Sequence, residues 1–348
     1  MRLGVKYDQI TERVGALFNL VPVPVGLSMF GMPIARSLQV AQRTGLLTEL
    51  AEGPATAAEL ATKLGLREQG TALLLDVLCV SGVLRRGSDG SYSIPTRVAK
   101  WLHPNSESYV GDFLGDTFYY WDWWAGLEDL VRDGRSIELH DRAADDPYWR
   151  SYITGQFQLA RLSSAAVARA VALPDGAHSL LDVAGAHGEY SMALCRRHEG
   201  LSATIVDLPG SARIGREIVA RNGMANRVSY LEGDMFEADF GGPHDGALAF
   251  NIIHHLSPDA AQALFARIAA ALRPGAPLCV LELYDRPEGK RPDSGSYLGL
   301  FFHLTSGADT YSVPEVSEWL AASGFGPAKA KTMPQLPGLA LLRAERLG

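Results

Sequence analysis

Cysteine is scarce in this 348-residue chain. There are three, Cys79, Cys195 and Cys279, far apart and without a Cys-x-x-Cys pair. That spacing excludes a disulfide framework and a cysteine zinc site, and it fits a reducing compartment. Histidines and acids nowhere fall into ligand spacing, so no metal is expected. Long apolar runs are also missing. The most apolar early stretch, Leu17 to Pro33, is interrupted by Pro22, Pro24 and Gly26, which argues against a membrane span and for a buried interface segment. Met1-Arg-Leu-Gly-Val-Lys-Tyr-Asp8 carries no signal-peptide core, so a cytoplasmic location is expected. Positive charge is in deficit, 32 Lys and Arg against 39 Asp and Glu, and the net charge of −7 disfavours a nucleic-acid backbone as partner. What is present is length enough for two domains and 47% hydrophobic residues, enough for a large core.

The most informative stretch is Ser179-Leu-Leu-Asp-Val-Ala-Gly-Ala-His-Gly188. An apolar run ends in an acid, small residues follow, and a helical pattern runs from Glu189 to Arg197. That is a strand, a tight turn and a helix start, where backbone comes close to a bound nucleotide. A second strand-like run, Ser202-Ala-Thr-Ile-Val-Asp207, ends in an acid one βα unit later, where a nucleoside ribose would meet it. The turn lacks the G-x-G-x-x-G spacing of a pyrophosphate site; only Gly185 and Gly188 remain, and Asp182 opens it. A carboxylate there suits a cationic ligand carrying an amino group and a sulfonium, which points to S-adenosylmethionine rather than NAD.

With these residues the chain resembles the class I methyltransferases. In particular it is similar to the small-molecule O-methyltransferases of plants and antibiotic-producing bacteria, whose first motif reads Leu-Val-Asp-Val-Gly-Gly-Gly-His-Gly. Further landmarks fall in family order: Val206-Asp-Leu-Pro209, Gly233-Asp-Met-Phe236, Asn251-Ile-Ile-His-His-Leu-Ser257, Leu272-Arg-Pro-Gly275 and Ser323-Gly-Phe325. Ala184 and Ala186 stand where the family has glycines, and His255 where plant members carry aspartate. The resemblance implies an α/β fold: a doubly wound, Rossmann-like methyltransferase sheet behind a mainly α-helical, winged-helix-like dimerisation domain. The expected organisation is 1–105 for dimerisation, 106–176 as a helical connecting region at the acceptor pocket, and 177–348 for catalysis.

The winged-helix pattern is legible in the residues. Thr56 to Gly65 is a short helix ending at glycine, Arg67 to Val80 a second helix, and Leu84 to Ile94 a hairpin around Ser-Asp-Gly. The second helix offers Arg67, Glu68, Gln69, Thr71 and Asp76, a poor set for reading DNA. A metabolite-sensing DNA regulator is therefore the weaker reading, and no nucleic-acid or membrane partner is expected. Downstream, Tyr119-Tyr-Trp-Asp-Trp-Trp124 follows Phe118; such density reads as core or domain interface. The resemblance implies that some of these rings, Phe118 and Trp121 among them, wall the acceptor pocket. Tyr148 to Leu173 is expected to be one long helix.

In the catalytic region, strands are expected at Ser179–Val183, Ala203–Asp207, Val228–Glu232, Gly246–Asn251 and Pro277–Leu283, with a β region from Ala328 to Ala344. Ligands in such sheets sit beyond the carboxyl ends of the strands. The resemblance places Asp182, Gly185, Gly188, Asp207, Leu208, Asp234, Met235, Phe236 and Asn251 at the cofactor. Asp207 would hold the ribose hydroxyls and Asp234 the adenine amino group, with Met235 or Phe236 over the ring. A phenol is protonated at neutral pH, and a histidine near 6.5 accepts its proton as the methyl moves. His254 is the aligned base, with His255 second, flanked by Glu282 and Asp309 as orienting acids. His303 and Tyr311 are pocket candidates, with packing roles as the alternative for each. The expected activity is methyl transfer to a phenolic hydroxyl of an aromatic metabolite by a homodimer, leaving S-adenosylhomocysteine. Transfer to nitrogen or carbon, and non-methylating chemistry with the cofactor retained (hydroxylation, decarboxylation or pericyclic), remain open.

Overall fold

The computed structural model describes residues 9–18, 20, 22–285, 295–307, 310–334, 336 and 338–348. The chain divides into two compact units, Met1–Phe118 and Tyr119–Gly348. In the first, the helix Ala57–Leu64 begins with a capping box. Thr56 accepts from the Glu59 N–H and Glu59 accepts from the Thr56 N–H, and Gly65 ends the helix in the left-handed conformation. The helix Glu68–Val80 follows, then a hairpin of β1 (Arg85–Arg86) and β2 (Tyr92–Ser93). Leu47, Leu60, Leu75, Leu78, Leu84 and Tyr92 close a core beneath them. Arg86 and the Tyr92 hydroxyl both bind Asp76 of the second helix, which fixes the hairpin on it. The helix Val23–Arg43 contrasts with this core, because Leu27, Met29, Phe30 and Met32 are all more than half exposed.

The second unit is built on a sheet in the order β5–β4–β3–β6–β7–β10–β9. Its strands are β3 (Ser179–Val183), β4 (Ser202–Asp207), β5 (Val228–Glu232), β6 (Gly246–Phe250), β7 (Pro277–Asp285), β9 (Lys329–Thr332) and β10 (Leu339–Glu345), with β8 (Tyr311–Ser312) pairing β7. The five strands from β5 to β7 are parallel; β10 and β9 are antiparallel. Both faces are covered, so the central strands are apolar throughout rather than alternating. Leu180 points into one core with the helices Tyr148–Arg161, Glu189–Arg197 and Pro209–Arg221. Its neighbours Leu181 and Val183 point into the other, with the helix Pro258–Ala271. Removing Leu180 or Leu181, each fully buried, to alanine costs about 2–5 kcal/mol. Strand order reverses at β3, between β4 and β6, and that is where a crevice opens at the carboxyl edge.

Several expected boundaries move, and two of the changes have a visible cause. The helix expected over Tyr148 to Leu173 is broken: Tyr148–Arg161 ends, and Ser164–Ala170 starts afresh. Leu162 and Ser163 tighten into i→i−3 bonds to Leu159 and Ala160, and Ser164 turns its hydroxyl onto Glu189 at 2.8 Å instead of continuing the first axis. The fourth strand stops at Phe250, because Asn251 adopts φ 51°, a region asparagine tolerates better than most residues.

Candidate active site

The turn after β3 explains which glycines are indispensable. A Cβ on Gly185 would lie 2.5 Å from the Asp182 carboxylate, and one on Gly188 (φ 71°) would lie 2.8 Å from the Tyr230 hydroxyl. Ala184 and Ala186 take positive φ as well, 57° and 44°, but as alanines, each at roughly 1–2 kcal/mol. The strain is held by bonds: Asp207 accepts from the Ala186 N–H at 2.7 Å, and the Tyr230 hydroxyl donates to the Ala186 carbonyl at 2.8 Å. His187 accepts from the Glu189 N–H through Nδ1 at 3.0 Å, capping the helix Glu189–Arg197. Burial pushes His187 down to about 4, so it is a neutral cap with the proton on Nε2.

A cleft of about 330 Å³ opens above this turn. Its floor includes Asp182, Gly185, Asp207, Leu208, Asp234, Met235, Phe236 and Asn251. Asp182 is 2% exposed and accepts from the Ser191 hydroxyl at 2.6 Å. Burial pushes its carboxyl up to about 7, against the Ser191 bond, with Asp207 adding to the rise. Asp207 is pushed up to about 6 by burial, opposed by the N–H groups of Ala186 and Leu208. Among the described residues no cationic side chain pairs with the buried Asp182 or the half-buried Asp207, so the two carboxyls are free to face a cation. The space that a Gly185 side chain would fill lies directly over Asp182. This donor set fits an amino and sulfonium ligand. Asp234 spends one oxygen on the Phe236 N–H, at 2.7 Å.

At the other end of the cleft, the chain after β6 makes a short 3₁₀ turn, Ile253–His255. His254, 3% exposed, binds Glu282 of β7 through Nδ1 at 2.8 Å, and its ring stacks on Phe302 at 3.8 Å and 13°. Glu282 also accepts from the Leu283 N–H, which fixes the carboxylate. His254 and Glu282 do not line the cleft, but His255 does, its ring centre 4.1 Å from that of His254. Burial, then the neighbouring His254 and His140, push His255 well below the usual histidine range.

Not every candidate reaches the cleft. Phe118 belongs to the first unit, its ring flanked by the guanidinium groups of Arg36 and Arg43 at 3.7 Å each. Trp121, Gly188, His303 and Tyr311 are not in the cleft wall. Tyr311 donates to the Leu256 carbonyl at 2.6 Å and packs on Trp319, which steadies the turn that carries the histidines. Asp309 lies outside the described residues. Among the described residues no group of three or more His, Cys, Asp or Glu is placed to hold a metal ion.

The wall residues that went unnoticed in the sequence include His140, Trp149, Tyr152 and Gln156. His140 is placed by backbone bonds from Ile137 and Leu139 to the Leu304 and Thr305 carbonyls, a long-range pairing with no local signature. The three others sit on the helix Tyr148–Arg161 at i, i+3 and i+7 from Trp149, a one-face spacing that was visible.

The sequence model of the O-methyltransferase domain matches residues 124–326, and that of the O-methyltransferase dimerisation domain matches 28–105. The chain belongs to the O-methyltransferase family and is an S-adenosylmethionine-dependent enzyme. It is 27% identical over 300 residues to the 3-hydroxy-5-methyl-1-naphthoate 3-O-methyltransferase of Streptomyces sahachiroi, covering 84% of this chain and 86% of that protein. It is 27% identical over 262 residues to the N,N-dimethyltransferase OxyT of Streptomyces rimosus, covering 73% and 76%. The structure of human N-acetylserotonin methyltransferase in complex with S-adenosylmethionine superposes with a TM-score of 0.81 at 18% identity, over 99% of this chain and all of that one.

Proposed function

We propose that this enzyme transfers a methyl group to a phenolic hydroxyl of an aromatic metabolite, with His254 as general base. The supporting observation is the buried His254–Glu282 pair, 2.8 Å apart, beside a cleft whose opposite end presents Asp182 and Asp207. When bound, S-adenosylmethionine supplies an activated methyl group on a sulfonium. Asp182 and Asp207 hold the cationic and ribose parts of that ligand, and Asp234, Met235 and Phe236 receive the adenine. Glu282 accepts a hydrogen bond from the Nδ1–H of His254, so the lone pair stands on Nε2. An acceptor hydroxyl that reaches past the cleft wall at His255 would give its proton to Nε2 of His254, and Glu282 would offset the imidazolium charge. His255 is the less suited base, because among the described residues no carboxylate pairs with it and its surroundings resist protonation. The relation to the Streptomyces sahachiroi enzyme supports an aromatic hydroxyl as acceptor.

Transfer to nitrogen is the second reading, favoured by the likeness to OxyT. Methyl-labelled S-adenosylmethionine with 2-naphthol and 2-naphthylamine separates the two by mass spectrometry. Labelled ether is expected, and His254→Ala should lower that rate about 10²–10⁴-fold with cofactor affinity kept. Label on the amine alone, unaffected by His254→Ala, overturns the proposal. The exposed apolar row on the helix Val23–Arg43 supports homodimerisation through the first unit, and sedimentation tests it.

A further inference from the structure

His140 and His255 are not explained by the reaction. Both line the cleft, their ring centres 5.1 Å apart and edge to face, in a wall that also includes Leu139, Asp141, Trp149, Ile252, Leu256 and Thr305. Among the described residues no hydrogen bond engages the His255 ring. The His140 Nδ1 is shut away without a partner, so Nε2 is the nitrogen left for a ligand. Buried polar groups are rarely left so. Each imidazole is held neutral, His140 pushed down to about 4 by burial and by the nearby His254 and Arg142, and a neutral ring offers one donor and one acceptor.

We propose that His140 and His255 form a paired hydrogen-bonding site for a second oxygen of the acceptor, beside the hydroxyl that is methylated. The preferred acceptors are then arenes with two oxygens on neighbouring carbons. The placement follows from the rings: His255 is 4.1 Å from the base His254 and 5.1 Å from His140. A hydroxyl that reaches past His255 to His254 therefore leaves the adjoining substituent at the pair, in the cleft wall. Trp149 and Tyr152, at 5.9 and 5.5 Å from the His140 ring, hold its orientation. This inference rests on the proposed phenolic methyl transfer.

The test is calorimetric binding of 2,3-dihydroxynaphthalene and of 2-naphthol to the S-adenosylhomocysteine-loaded protein, followed also by ring ¹⁵N shifts of labelled histidine. The diol should bind about ten- to a hundredfold more tightly, shifting the His140 and His255 signals. His255→Leu and His140→Phe should erase the preference without changing cofactor affinity, and His255→Gln should restore part of it. Equal affinity, no binding of the diol, or a preference that survives His255→Leu overturns the inference. Turnover keeps the two ideas apart. Equal labelling of both naphthols refutes the paired site alone, whereas selective diol binding without labelled ether refutes phenolic transfer alone.

Discussion

Asp182→Asn should make the cofactor-free protein more stable while disabling it. An unfolded chain ionises this carboxyl near its ordinary value of 3.8, whereas the folded protein holds it to about 7. Between those two values the fold must keep a proton that the unfolded chain has released. Folded stability therefore falls as pH rises from about 4, and the loss is complete above about 7. At about 1.4 kcal/mol per unit, the cost approaches about 4 kcal/mol, and local relaxation reduces it. Asparagine removes the charge, and its carbonyl oxygen can still accept the Ser191 hydroxyl that now bonds at 2.6 Å. Urea unfolding of the two proteins without cofactor should favour the variant by about 2–4 kcal/mol at pH 8, with the gap mostly closed at pH 5. S-adenosylmethionine at a hundred times its dissociation constant should add about 2.7 kcal/mol to the wild type and far less to the variant. A variant less stable at pH 8, or a gap independent of pH, would refute the idea that a buried, unpaired carboxylate waits for a cation.

Ala186→Gly should raise the melting temperature slightly, because relief of about 1–2 kcal/mol of left-handed strain outweighs the roughly 0.5–1 kcal/mol of chain entropy that glycine adds; scanning calorimetry reads the sign. Gly188→Ala should do the opposite by at least about 1–2 kcal/mol, since its Cβ meets the Tyr230 hydroxyl at 2.8 Å. Gly185→Ala pushes a methyl to within 2.5 Å of Asp182, so titration should show cofactor affinity at least tenfold weaker with the fold intact. Tyr230→Phe removes the bond to the Ala186 carbonyl and should cost about 1 kcal/mol by urea unfolding.

What the sequence disclosed and what it hid differ in kind. The helix Glu189–Arg197 and the strand Ser179–Val183 have the bounds their pattern implies, because an apolar run ending in a small-residue turn leaves one backbone solution. The alanines at 184 and 186 did not change that solution, since Asp207 and Tyr230 tie the Ala186 peptide from both sides and absorb the lost freedom of glycine. Neighbouring side chains overrode the pattern where the long helix was expected, since the Ser164 hydroxyl found Glu189 and no periodicity records a partner 25 residues away. Ring positions were hidden more completely. Phe118 and Trp121 carried the aromatic signal, yet the cleft wall is made by Trp149, Tyr152 and His140. Which aromatic faces a ligand depends on helix rotation and on bonds such as Leu139 to Thr305, set only when the chain has packed. Composition therefore locates the pocket's neighbourhood, and long-range packing chooses its surface. For that reason the motif at Asn251–Ser257 disclosed His255 but not His140, whose place in the cleft wall only the packed chain sets.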